Sequence, residues 1–166
     1  MSARLAPRLS RRAMGVRDLD AVTTIESGAY SFPWTRGNFV DSLAAGYLAE
    51  VLEDEHRELL GYFIAMAGVD EMHLLNITVA PAWQGQGFGR LMLQALADHT
   101  REAGLASLWL EVRQSNLRAR ALYAQLGYAE VGLRRGYYPA AGRREDAVVM
   151  SLVLPQAGKV DDDGVE

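Results

Sequence analysis

The 166-residue chain contains no cysteine. That absence excludes disulfides, thiolate metal ligation and a cysteine nucleophile. Histidine is scarce too: His56, His73 and His99 form no ligand spacing, so no metal is assigned. No apolar run approaches the roughly 18 residues that a membrane-spanning helix requires. The first residues are arginine-rich but no apolar segment follows them, which argues against a secretory signal and fits the cytoplasm. A net charge of −4 argues against general nucleic-acid binding through a basic surface.

What is present suits one folded unit. Hydrophobic residues make up 49% of the chain, enough for one domain around one core. Charge is uneven: +4 in residues 1–12, −3 in residues 155–166 and −5 between them. Residues 1–12 read as a flexible basic arm, 13–154 as the folded domain and 155–166 as an acidic, solvated tail. No internal repeat is visible.

Residues 14–17 read as the end of a first strand. Residues 18–29 read as a helix, capped by Asp18 or Asp20, with Leu19, Val22, Ile25 and Ala29 on one face. A loop through Phe32, Pro33 and Trp34 leads to a second helix at 36–44. Residues 47–52 and 59–66 form a predicted hairpin, and 72–79 a third strand-like run ended by Pro81. The clearest helix covers 87–103, where Phe88, Leu91, Met92, Ala95 and Leu96 make one apolar stripe. Residues 107–112 read as an apolar strand covered on both faces. Ser115 or Asn116 caps a further helix with the stripe Ala119, Leu122, Tyr123 and Leu126. Residues 128–132 and 147–154 supply two last strands. Hairpin-paired strands followed by strands alternating with helices predict a layered α/β (α+β) domain with a mixed sheet.

The most informative segment is Gln84-Gly85-Gln86-Gly87-Phe88-Gly89-Arg90. A glycine-rich loop at a helix start offers main-chain N–H groups and the positive end of the helix dipole to an anion. Its spacing fits neither the dinucleotide fingerprint nor the P-loop, which requires Gly-Lys-Ser or Gly-Lys-Thr. The plain alternative is a turn that merely starts a helix.

With Asn76-Ile77-Thr78-Val79 before it, this loop resembles the acetyl-CoA motif of the GCN5-related N-acetyltransferases, (Arg/Gln)-x-x-Gly-x-(Gly/Ala). Phe32-Pro33-Trp34, Trp109-Leu110-Glu111-Val112-Arg113, Ser115-Asn116, Ala121-Leu122-Tyr123, Arg134-Arg135 with Tyr137-Tyr138-Pro139, and Arg144-Glu145-Asp146-Ala147 are similar to the RimI type. That type acetylates the N-terminal alanine of a small-subunit ribosomal protein. The resemblance covers residues 14–153.

The resemblance implies a mostly antiparallel mixed sheet, splayed between its fourth and fifth strands and flanked by helices. It implies acetyl-CoA as co-substrate, held by Gln84, Gly85, Gln86, Gly87, Phe88, Gly89 and Arg90 at the phosphates. Main-chain groups of Ile77, Thr78 and Val79 would take the pantetheine arm, and Asn116 would touch the coenzyme or simply cap its helix. Glu111 would be the general base, through a water. The bland alternative is a structural glutamate paired with Arg113 or an arginine of the last strands. Tyr123 would be the general acid, or a core tyrosine with a satisfied hydroxyl. Phe32, Trp34, Tyr137 and Tyr138 would wall a peptide groove, or form a satellite hydrophobic cluster. Glu26, Asp41, Glu145 and Asp146 offer carboxylates to a basic peptide, or a solvated acidic surface.

An α-amine suits such a site better than a lysine does. Its pKa of about 7.7–8.0, against about 10.4 for lysine, leaves more of it neutral and reactive near pH 7. The expected partner is a protein or peptide N-terminus, in a ribosomal protein; the chain itself is expected to be a monomer or weak dimer with no direct contact to nucleic acid or membrane. Other protein N-termini, lysines or a small-molecule amine are the alternative substrates. A catalytically silent acetyl-CoA-binding module is the alternative of another class.

Overall fold

The computed structural model describes residues 7–155. Seven strands, β1 (Ser10–Ala13), β2 (Leu48–Glu53), β3 (Leu59–Ala67), β4 (Glu71–Val79), β5 (Ser107–Arg113), β6 (Ala129–Ala140) and β7 (Arg143–Val153), form one sheet in the order β1-β2-β3-β4-β5-β7-β6. All neighbours are antiparallel except β4 and β5. Four helices flank it: α1 (Leu19–Ala29), α2 (Arg36–Ala44), α3 (Phe88–Glu102) and α4 (Leu117–Gln125). Among the described residues no helix is long and apolar enough to cross a membrane.

The two faces of the sheet carry separate cores. Leu19, Val22 and Phe39 of α1 and α2 pack with Val51, Tyr62 and Ile64. On the other side Phe88, Met92, Leu93 and Leu96 of α3 and Tyr123 of α4 pack with Phe63, Leu108, Leu110, Val112 and Met150. The apolar stripes of the two long helical segments thus face where their periodicity points them.

Three expectations need correction. The first strand occupies Ser10–Ala13, not 14–17, and it pairs with β2, so Ser10–Arg12 belong to the sheet and not to a free arm. Arg12 explains the shift: its guanidinium meets both carboxylate oxygens of Asp18 at 2.8 and 2.7 Å and reaches Glu53 at 3.1 Å. Asp18 consequently spends its side chain on Arg12 and on the Gly15 N–H, and makes no cap bond to α1. Second, β5 is not covered on both faces: Leu108, Leu110 and Val112 are buried, while Trp109, Glu111 and Arg113 are only half-buried. Third, the last hairpin extends across residues 133–146, which show no strand periodicity. Pro139 is tolerated there because β6 is the edge strand. Residues 1–6 of the predicted arm and 156–166 of the predicted tail lie outside the described residues.

Candidate active site

The sheet opens between its only parallel pair. β4 and β5 stay in register at three positions, Glu71 with Ser107, Met72 with Leu108 and His73 with Trp109, and then part. Leu75 is an extra residue in β4, since Ile64 pairs with Asn76 and Ala65 with Leu74. Beyond this bulge the Ala80 N–H donates to the Leu60 carbonyl at 2.8 Å. Alternation along an antiparallel ladder then turns the main-chain groups of Ile77 and Val79 away from β3, into the gap, and those of Thr78 toward β3. Of the three predicted main-chain contacts, two therefore face the opening. Thr78 instead offers its buried side chain on the α1 face.

The glycine loop stands at one end of this gap. Gly87, with φ +88°, is the N-cap of α3 and supplies no side-chain cap. By contrast Thr35 caps α2 and Asn116 caps α4 with side-chain oxygens. The first main-chain bond into α3 runs from Leu91 to Gly87 at 3.1 Å, so the N–H groups of Phe88, Gly89 and Arg90 point out of the helix end. Gly85 also has positive φ, +79°, and a Cβ there would lie 3.2 Å from Nη2 of Arg118. That guanidinium over an anion-ready loop was not legible in sequence, because nothing in local spacing ties α4 to the loop. The other loop side chains turn elsewhere. Gln84 donates to the Val79 carbonyl at 3.1 Å, Arg90 donates to Gln125 at 2.8 Å, and Phe88 packs on Trp83 in the core. Gln86 is exposed.

The other side of the gap is built from side chains. Glu111 meets Arg134 at 3.1 Å, and its carboxylate lies beside the Tyr137 hydroxyl. Burial, and then the neighbouring Glu111 carboxylate, push the Tyr137 hydroxyl above its ordinary pKa. Arg134 also stacks over the Tyr137 ring, 5.2 Å from its centroid. Arg113 lies between two aromatic rings, 4.6 Å from the centroid of Tyr138 and 5.7 Å from that of Phe32. It bonds the Pro139 carbonyl at 2.9 Å and meets Glu145 at 3.3 Å. Glu145 accepts from both the N–H and the hydroxyl of Ser115, and these bonds hold its carboxyl below the usual range. Three of the four predicted wall aromatics, Phe32, Tyr137 and Tyr138, thus gather around two arginines. Trp34 does not join them: its ring packs on Phe39, at 5.3 Å, beside the α1–α2 core.

Tyr123 is buried on α4, 5.6 Å from Tyr128 between ring centroids. Burial pushes its hydroxyl well above the ordinary tyrosine value, and Tyr30, Tyr128 and Tyr138 are near enough to add to the effect. A group so held carries its proton at neutral pH, as a proton donor must. Asn116 accepts from the Ala119 N–H at 3.2 Å, so its capping role is real. Glu26 is not a surface carboxylate; it is 1% exposed beneath β4. Among the described residues no cluster of His, Cys, Asp or Glu is arranged to hold a metal.

The chain matches the family model described as "Acetyltransferase (GNAT) family" over residues 19–128, a span that includes the glycine loop, Glu111 and Tyr123. It is 42% identical over 137 residues to the [ribosomal protein bS18]-alanine N-acetyltransferase of Escherichia coli (strain K12), covering 82% of this chain and 92% of that relative. The enzyme of the same name from Haemophilus influenzae is 41% identical over 138 residues, with 82% and 93% covered. The crystal structure of the ribosomal-protein-S18-alanine N-acetyltransferase from Escherichia coli superposes with a TM-score of 0.84 at 39% identity, covering 92% of this chain and 97% of the other.

Proposed function

The chain belongs to the acetyltransferase (GNAT) family, and from that premise we propose that it moves the acetyl group of acetyl-CoA to the N-terminal alanine of ribosomal protein bS18. The observation that carries this reading is the opening between β4 and β5, with main-chain donors at one end and a carboxylate and tyrosines across it.

The residues present fit the coenzyme. Outward N–H groups at the start of α3, the positive end of its dipole and Arg118 suit a pyrophosphate. The Ile77 and Val79 carbonyls already have Tyr30 and Gln84 as donors, so it is the N–H groups of these two residues that an extended, amide-containing arm would pair. Once bound, acetyl-CoA supplies an acyl thioester. Glu111 takes the proton of the incoming amine, through a water, and Tyr123 returns a proton to the departing thiolate sulfur. Phe32, Tyr137 and Tyr138 line the approach of the peptide, and Arg134 holds the Glu111 carboxylate in place. Localisation in the cytoplasm and action as a monomer or weak dimer complete the proposal.

The test is acetylation of a synthetic peptide that begins Ala-Arg and contains an internal lysine, read by mass spectrometry. One acetyl on the α-amine supports the assignment. Acetyl on the lysine alone, or turnover only with a polyamine, overturns it.

A further inference from the structure

A buried carboxylate that the mechanism above does not use lies under the reacting gap. Glu26 is 1% exposed, and among the described residues no cation pairs with it. It accepts from the Tyr62 hydroxyl at 2.8 Å and from Asn76 Nδ2 at 2.8 Å. Asn76 Oδ1 in turn accepts from the Thr78 hydroxyl at 2.8 Å. Tyr30 Oη lies 2.8 Å from Thr78 Oγ1 and 3.0 Å from the Ile77 carbonyl.

Donor and acceptor counting gives this chain one direction. The carboxylate takes the Asn76 amide N–H, which leaves only the amide oxygen for Thr78. Thr78 spends its one hydrogen on that oxygen, so it can only accept from Tyr30. The Ile77 carbonyl can only accept as well. Tyr30 therefore donates inward, to Thr78 or Ile77, and its lone pairs are left for a donor arriving in the gap. The amide of Asn76 cannot hand a proton along, so the chain sets polarity and conducts nothing. Tyr30 reaches the Ile77 carbonyl, which faces the gap, and stands close enough to Tyr123 to affect its proton.

A neutral primary amine has two N–H donors and one lone pair. Two acceptors that hold the hydrogens aim the lone pair at the acyl carbon. Glu111, reached through a water, is one acceptor. We propose, on the site assignment made above, that the Tyr30 hydroxyl is the other, and that the Glu26–Asn76–Thr78 chain fixes it as an acceptor for the substrate's amino group. Tyr30 is then a positioning residue that touches the substrate, and Glu26 acts through it.

The test uses the full chain, acetyl-CoA and whichever primary amine the wild type acetylates. Tyr30→Phe is expected to lower kcat/KM for the amine about tenfold to a hundredfold, the effect of one lost hydrogen bond to a reacting group. The affinity for acetyl-CoA by calorimetry and the melting temperature stay at wild-type values. Undiminished kcat/KM overturns the proposal, as does a loss matched by weaker coenzyme binding and lower melting temperature. Glu26→Gln is expected to reduce activity in the wild-type background and to add little in the Tyr30→Phe background. Equal losses in both backgrounds sever Glu26 from Tyr30. Thr78→Val interrupts the chain nearer its end and gives the same reading if Glu26→Gln does not fold. A wild type that ignores the Ala-Arg peptide overturns the bS18 assignment, while the variant-to-wild-type ratio on its true amine still decides the role of Tyr30.

Discussion

The two ends of the gap solve binding in opposite ways. The donor end uses main chain: Gly85 and Gly87 at positive φ, an uncapped α3, and two residues of β4 turned away from β3. The acceptor end uses side chains drawn from the loop after α1, β5, α4 and the β6–β7 hairpin, with Glu111 paired to Arg134. A main-chain site tolerates many side chains but demands a conformation. A side-chain site demands particular atoms, and each must be carried by a different element. Substitutions at the two ends should therefore fail in different kinetic terms.

The largest expected effect is at the acceptor end. Tyr123→Phe should lower kcat by about a hundredfold or more, the usual contribution of a positioned proton donor, with acetyl-CoA affinity near that of the wild type. Equal losses in kcat and in coenzyme binding would break the division between the two ends. Next comes the donor end. Gly87→Ala forces a Cβ into left-handed backbone, at a cost of about 1–2 kcal/mol. Relief of that strain would reshape the loop, so acetyl-CoA should bind about tenfold more weakly, while kcat at saturating coenzyme holds. Titration by calorimetry checks the first part and steady-state kinetics the second.

The smallest effect is expected at the hairpin wall. Glu145→Gln should raise the peptide KM about two- to fivefold, the worth of a surface ion pair, without changing the KM for acetyl-CoA. The Ser115 bonds and Arg113 hold this carboxyl below the usual range. Its contacts are therefore present above that range and are lost only as pH falls through the depressed value. Between pH 6 and pH 9 the ratio of variant to wild-type KM should stay flat. A slope there would assign the peptide wall to another titrating group.

Legibility in sequence follows the same division. The loop from Gln84 to Arg90 is local, and its glycine spacing alone excludes the two common nucleotide motifs. Glu111 stands out because an acid interrupts a nearly continuous apolar run, and Tyr123 because it shares a helical stripe. Arg134 was foreseen only as one of several arginines able to pair with Glu111. Trp34 was placed with the wall because Phe32 and Trp34 flank one proline, yet that turn sends one ring to Arg113 and the other to Phe39. The hairpin through residues 133–146 has no sequence signature, because Gly136, Pro139 and Gly142 interrupt any alternation.

The sequence by itself determined the helices, most strands, the anion-ready loop and the two residues proposed for proton transfer, since each depends on neighbours a few positions apart. Only the tertiary structure decided which main-chain groups face the gap, because one extra residue at Leu75 sets that parity. It alone decided the partners of Glu111 and the burial of Glu26. Glu26 meets Asn76 fifty residues later, and Arg113 meets Glu145 thirty-two residues later, and no local pattern encodes such meetings. They exist because the sheet order brings β4, β5 and β7 side by side, with α1 packed on β4.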